Sequence, residues 1–373
     1  MRKTIIINTS NLRKGGALQV AASFVREAAN VKSIDFYVVL GRASANIISA
    51  DDYKGLDNIN ILSVGIHPAD TLLAIFKFRS ALSNIEKQIK PDGVITIFGP
   101  CYWKPKVPHI MGFANGYLLY EDTYFFTVWQ EWRMWKYKLK KKIHQYLLKR
   151  EASLYWTETE DCKIRLAKFV NKPLQHITVA TNNCSNFFRD TYYEVFPGLP
   201  PAKKVPRLLY ISSYYPHKGF ELIPAVLKRL KEKALDIELV ITIETDDYER
   251  LFSDFDNVIN LGAIDPKYCP DIYRKSDIVF VPTLLETFTA VYPEAMYTQR
   301  PILTTNLPFA QDICGDAALY FNPESTEDAV NKVQQLVSNG SLRDQLIANG
   351  LERLKMFDLP EERFSKVLNA VME

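Results

Sequence analysis

A cysteine framework, a membrane span and a strong net charge are all missing from this sequence. Its five cysteines (Cys101, Cys162, Cys184, Cys269, Cys314) include no C-x-x-C pair and no zinc-like spacing, so they read as reduced thiols. No stretch approaches the ~20 consecutive apolar residues that a membrane-spanning helix needs. The start, MRKTIIINTS, has a basic flank but too short an apolar run for a signal peptide. It reads as a first strand, and a cytoplasmic protein is expected. A formal net charge of +3 gives no global case for nucleic-acid binding. There is no G-x-G-x-x-G, and no acidic residue closes the second strand run, FYVVLGR (36–42). A dinucleotide oxidoreductase is therefore not expected. Asp254 and Asp256 spell D-x-D but precede a strand run instead of following one, so they read as solvated loop residues and no metal cofactor is expected.

What is present is an α/β alternation. Apolar runs of strand length recur at 4–9, 36–41, 59–64, 93–99, 109–114, 153–158 and 177–181, and again at 207–213, 237–243, 258–262, 277–283, 301–306 and 319–322. Helix-period segments lie between them, at 16–29, 69–89, 123–150 and 160–169, then at 218–234, 267–275, 290–298, 326–338 and 341–354. Continuous Val/Ile-rich strands interleaved with helices indicate parallel sheets covered on both faces. At 373 residues, two domains of roughly 150 to 200 residues are expected. The proline-rich FFRDTYYEVFPGLPPAKKVPR has neither period and supplies the linker. The expected organisation is a first Rossmann-like domain at 1–188, a linker at 189–205, a second such domain at 206–355, and a helix at 356–373 that returns to the first domain. Ligands of open α/β sheets bind at the C-terminal strand ends, so the cleft between the domains is the expected site.

One loop there stands out. LLETFTAVYPEAM (284–296) follows the buried run DIVFVPT and holds Glu286 and Glu294 with seven residues between them. Pro293 is comfortable only in a helix's first turn, so a helix should start near Thr289 or Ala290. Unpaired amides around Phe288 and Thr289 then suit a phosphate, and the two carboxylates suit sugar hydroxyls. Taken alone, a helix-capping Glu294 and a solvated Glu286 are an equally open reading. Gly15 and Gly16, between the first strand and the first helix, would let the backbone approach a diphosphate or an acceptor.

YISSYYPHKGFELIPAVLKRL, VINLGAI, YRKSDIVFVPTLLETFTAVYPEAM and RPILTTNLPFAQDICGDAALYFNP, in this order and spacing, resemble the second domain of the retaining glycosyltransferase family 4, enzymes of the two-domain GT-B architecture. The first domain resembles it more thinly, in KGGALQVAASFVREA, WTETEDCKIRLAK and TNNCSNFF. The resemblance implies that Glu286 contacts the donor hexose and Glu294 the ribose, with Lys218 on the donor phosphates. Ala263 and Ile264 would hold the base through backbone atoms. Ser213 stands where the family carries a phosphate-binding arginine, and Thr287 and Thr289 stand where it carries glycines. The family's sugar-contacting histidine has no counterpart. His109 lies at the wrong end of its strand and reads as structural, and Asn115, or less well Glu121 or Asp122, is nearest the expected place.

A basic aromatic segment, 127–150, carries eight Lys/Arg, three Trp and two Tyr against one acid. It reads either as a helix that docks on an anionic membrane surface or as one with an aromatic core face and a solvated basic face. The implied function is hexose transfer, with retention, from a nucleotide-diphosphate sugar to a glycan or lipid-linked acceptor in surface polysaccharide or lipopolysaccharide assembly. The alternatives are a non-catalytic sugar-nucleotide-binding partner subunit and a sugar-nucleotide epimerase of the same architecture.

Overall fold

The computed structural model describes residues 2–13, 15–128, 134–189 and 193–373. Within them every apolar run read above is a strand: β1 (Lys3–Asn8), β2 (Ile34–Leu40), β3 (Ile59–Ser63), β4 (Gly93–Thr96), β5 (His109–Gly112), β6 (Leu154–Thr157), β7 (Ile177–Val179), β8 (Arg207–Tyr210), β9 (Glu238–Ile241), β10 (Val258–Asn260), β11 (Ile278–Val281), β12 (Ile302–Thr305) and β13 (Ala318–Phe321). They form two sheets, β3-β2-β1-β4-β5-β6-β7 and β10-β9-β8-β11-β12-β13. All strand pairs described are parallel. Strands β4, β5, β8, β9, β11 and β12 are buried throughout because helices cover both faces, which is why their sequences are continuous instead of alternating.

The chain divides into two compact units. The first contains β1–β7 and, from the far end of the sequence, Asp358–Glu373. Its core gathers Ile5, Ile7, Phe24, Phe36, Val38 and Trp156 with Phe364, Val367 and Val371 of the helix Pro360–Met372. Phe364 packs edge-on against Phe24 at 5.7 Å and tilted against Phe36 at 5.8 Å. Pro360 occupies the first turn of that helix, and the Glu362 side chain accepts the Leu359 N–H at 2.8 Å. Asp358 accepts the Thr181 N–H at 2.8 Å and pairs with Lys366 at 2.6 Å. The terminal helix is thus both buried and hydrogen-bonded in the first unit.

The second unit contains β8–β13 and also takes in Tyr120, which is fully buried and meets Phe309 edge-on at 6.3 Å. Its first strand, β8, has β9 on one side and β11 on the other. Strand order reverses there, so the loops after β8 and β11 diverge from a shared crevice. At the opposite, N-terminal edge Arg207 and Glu238 form an ion pair at 2.6 Å, each only 1% exposed. Asp277 accepts the Arg207 N–H at 2.8 Å. These contacts close the sheet end that carries no candidate chemistry.

Among the described residues four α-helices escaped the sequence reading, two of them the single turns Arg42–Ala45 and Asn186–Arg189. Of the other two, Thr245–Phe252 buries only Phe252, and Pro308–Cys314 begins on a proline three positions after the end of β12. The segment read as one helix at 123–150 contains Tyr124–Val128 and Met134–Glu151, and 129–133 lie outside the described residues.

Candidate functional site

The two loops at the crevice of the second sheet are tied to each other before any side chain is considered. Leu284 donates its N–H to the His217 carbonyl at 2.7 Å. Gly219 has φ +71°, and a Cβ there would lie 2.0 Å from the Pro282 carbonyl oxygen. Only glycine satisfies both the left-handed backbone and that approach. Lys218 is therefore not at a helix start, as the apolar period suggests. It ends a single 3-10 turn, Pro216–Lys218, and the α-helix begins five residues later at Ile223.

This geometry delivers Lys218 to Glu286. The ammonium lies 2.5 Å from Glu286 Oε1, with the two side chains 17% and 10% exposed. Thr283, fully buried at the end of the strand run, places its hydroxyl 3.1 Å from the same oxygen and 3.2 Å from the His217 carbonyl. The buried Tyr210 hydroxyl donates to the Lys218 carbonyl at 2.9 Å, fixing the other end of the residue. A lysine and a carboxylate held this way present one cation and one acceptor at the mouth of the crevice. His217 adds no charge at neutral pH. Burial pushes its pKa down to about 4, Lys218 pushes the same way, and Glu286 opposes both. It therefore does not supply the second cation that the resemblance leads one to expect at Ser213. Ser213 is exposed, and its carbonyl accepts from the Ser212 hydroxyl at 3.0 Å.

Thr287 and Thr289 are buried at 6% and 8% exposure, and Phe288 between them meets Phe357 edge-on at 5.9 Å. The helix Val291–Tyr297 follows, with Ala290 as its cap and Pro293 in its first turn. Glu294 does not turn toward Lys218. Its Oε2 accepts the Tyr273 hydroxyl at 2.8 Å, and its charge also reaches Cys184 and Cys269. Part of the residue's surface remains open, yet burial of the carboxyl group pushes its pKa up to about 7, against the Tyr273 hydrogen bond. Ala263 and Ile264 lie on a separate loop, after β10. Asn260 orders it, accepting the Ile243 and Gly262 N–H groups at 3.1 and 3.2 Å and donating to the Ile243 carbonyl at 2.9 Å.

Of the remaining candidates, Gly15, Gly16 and Asn115 belong to the first unit, in the segments after β1 and β5. Gly15 has φ +77° and caps Gly16–Asn30, with open space around both glycines. Asn115 opens a 3-10 turn after β5, and its Oδ1 is buried without a hydrogen-bond partner. Glu121 and Asp122 are exposed. His109 is 2% exposed between Thr96, at 2.9 Å, and the Glu151 carbonyl, at 2.8 Å. Burial holds its pKa at about 4, as a neutral structural histidine should be. Asp254 and Asp256 are exposed. Among the described residues no cluster of three or more His, Cys, Asp or Glu is placed to hold a metal ion.

Thr283, Tyr210, Tyr273 and Gly219 were not legible as site residues. Gly219 carries a local signal, following Lys218 directly. Tyr273 carries none, because it reaches Glu294 from another helix.

Residues 194–353 match the family model described as glycosyl transferases group 1. Among curated proteins, the chain is similar to the O-antigen chain mannosyltransferase RfbU of Salmonella typhimurium, 24% identical over 213 residues. That alignment covers 53% of this chain and 56% of the relative, so it spans little more than half of either. Among solved structures, Anabaena Alr3699/HepE in complex with UDP-glucose is similar with a TM-score of 0.70 at 13% identity, covering 98% of this chain and 99% of the other. WaaG, a glycosyltransferase involved in lipopolysaccharide biosynthesis, gives 0.67 at 15% identity over 98% of both chains. The architecture is that of the GT-B glycosyltransferases, two parallel-sheet α/β domains of seven and six strands.

Proposed function

We propose that this protein is a retaining glycosyltransferase that moves a hexose from a nucleotide-diphosphate sugar to a glycan or lipid-linked acceptor. Surface polysaccharide or lipopolysaccharide assembly, at the cytoplasmic side of a membrane, is the proposed setting. The observation that carries the reading is the Lys218–Glu286 pair at the switch point of the second sheet, inside the segment that matches the group 1 transferase model. A relative named as a mannosyltransferase and a neighbour solved with UDP-glucose support the same class of chemistry.

In this mechanism the donor diphosphate draws Lys218 from Glu286 and lies along the amides of Thr287, Phe288 and Thr289. Glu286, released, accepts from the hexose hydroxyls, while Glu294 takes the ribose and the loop at Ala263 and Ile264 the base. The anomeric carbon–oxygen bond to phosphate breaks as the acceptor oxygen bonds to the same face of that carbon. The acceptor proton passes to the departing phosphate oxygen. Lys218 and the loop amides stabilise the negative charge that develops there. Asn115, whose Oδ1 is buried without a hydrogen-bond partner, is the first unit's candidate for a contact to a sugar hydroxyl. No metal cofactor is invoked.

One observation favours a second reading. Ser213 leaves the site without the usual second cation, and His217 is neutral, so a subunit that binds sugar-nucleotides without turning them over has support. A panel of uridine, guanosine and other nucleotide-sugars, followed by thermal shift and by nucleotide release, separates the two. Release from one donor, lost in Glu286→Ala, is expected. Binding without release, even with glycan acceptors supplied, would favour the non-catalytic subunit.

A further inference from the structure

The helix Met134–Glu151 packs through one face and exposes an ordered one. Inward, Tyr137 donates to the Tyr117 carbonyl at 2.7 Å, Gln145 donates to the Phe169 carbonyl at 2.7 Å, and Leu148 is fully buried. Outward, Trp135, Leu139, Ile143 and Tyr146 are 62%, 53%, 49% and 59% exposed. At the helical turn angle these four fall within an arc of about 80°. Lys138, Lys142 and Lys149 border the arc on one side and Lys136 and Lys140 on the other, all exposed. The only acid on the helix is Glu151, which is buried. Side chains interleaved along the sequence are thus sorted around the helix into an apolar centre and basic flanks.

A second helix extends the surface. Leu72–Ile89 exposes Leu73 and Phe76 at 61% and 65%. The crossovers from β3 to β4 and from β5 to β6 run the same way across the sheet, so right-handed connections put both helices on one face. The segment between them is held from both sides. Arg79 of one helix donates to the Tyr102 carbonyl at 3.0 Å, and Glu151 of the other accepts the Cys101 N–H at 2.9 Å. Leu73, Phe76 and Trp135 all sit in the first turns of their helices, at the C-terminal edge of the strands.

We infer that this face of the first domain is a docking surface for an anionic lipid bilayer, with Trp135, Leu139, Ile143, Tyr146, Leu73 and Phe76 entering the acyl boundary and the flanking lysines meeting headgroup phosphates. The order of chemistry, apolar in the middle and basic at the rim, matches the depth profile of a bilayer surface. A second copy of the chain fits badly, since lysines would face lysines. A nucleic acid would leave the apolar arc in water. Among the described residues no helix is long and apolar enough to cross a membrane, so the contact is interfacial. Docking this way lays that face of the sheet along the lipid, with Leu73, Phe76 and Trp135 beside the ligand-binding edge, and so rests on and deepens the proposed function by making the acceptor a membrane lipid conjugate.

The test is sedimentation of the full chain with phosphatidylcholine vesicles, with and without phosphatidylglycerol. It needs no donor, so its outcome is separate from that of the nucleotide-release assay. The chain is expected to pellet with the anionic vesicles and not with the neutral ones. Lys138→Glu/Lys142→Glu/Lys149→Glu and Trp135→Ser/Leu139→Ser should each weaken partitioning about tenfold or more. Because all these positions are exposed, the melting temperature should hold. No pelleting at low salt would overturn the inference. So would an apolar double variant that binds like the parent, or a parent dimer that the same variant dissolves.

Discussion

Glu286 and Glu294 lie on one loop–helix segment, yet their surroundings differ in kind. Glu286 faces a lysine at 2.5 Å and a buried threonine hydroxyl, so its charge is compensated on the spot. Glu294 faces a tyrosine hydroxyl and two thiols, and burial pushes its pKa up to about 7. The two surroundings suit the proposed division of roles between the carboxylates. An ion-paired carboxylate must be released from its partner to act, whereas the desolvated Glu294 changes protonation near neutral pH. The first should matter for chemistry and the second for binding and its pH dependence.

The largest effect should come from removing the charged partner on the Glu286 side. Glu286→Gln should lower nucleotide release by about 10²–10³. Donor affinity, read by thermal shift, should change only a few-fold. If affinity and release fall together, Glu286 acts in ground-state binding and the two glutamates are not divided in this way. Gly219→Ala should come next, through stability. Its Cβ would collide with the Pro282 carbonyl and force a left-handed backbone on alanine, costing about 2–4 kcal/mol in denaturant unfolding. Lys218→Met, which leaves Glu286 without its cation, should cost about 1–3 kcal/mol, discounted because both groups keep some solvent. Adding Glu286→Leu to Lys218→Met should recover most of that loss, since the charge then goes too.

Much of this was legible in the sequence, and what was not has a common cause. The strands could be read because both sheet faces are covered, which leaves runs such as Ile278–Val281 apolar without interruption. The helix Thr245–Phe252 could not, because little of it is buried. Both glutamates could be picked out, but not the partnership of one with Lys218, 68 residues away, nor of the other with Tyr273. Spacing along the chain carries no information about which loops a glycine such as Gly219 lets approach. The basic segment was visible as composition, whereas its sorting into an apolar arc and lysine flanks needed the helix and its buried face, because Lys and apolar residues alternate in WKYKLKKKI.

The smallest effects test the Glu294 side, and their sign follows from the direction of the shift. Glu294 binds its proton more tightly in the folded chain than in the unfolded one. Between its unfolded value near 4.5 and about 7, the folded state therefore holds the extra proton, and stability from this group falls as pH rises. Glu294→Gln should flatten that slope, by about 1–3 kcal/mol across the window. Other groups act in the opposite sense. His109, His144 and His217 are all pushed down to about 4, and their contribution to stability rises with pH from about 4 to 6.5. The Gln variant is what isolates the carboxylate. Donor affinity should run the other way from its stability contribution, rising with pH through about 7 as Glu294 becomes a full acceptor for a sugar hydroxyl, and it should be flat in Glu294→Gln. Tyr273→Phe removes the one hydrogen bond that holds the Glu294 pKa down, so the midpoint of the affinity profile should move upward, at a stability cost of about 1 kcal/mol. A midpoint that stays put, or moves down, would mean that Tyr273 supports the helix and not the charge. Glu294 would then be the structural carboxylate of the pair.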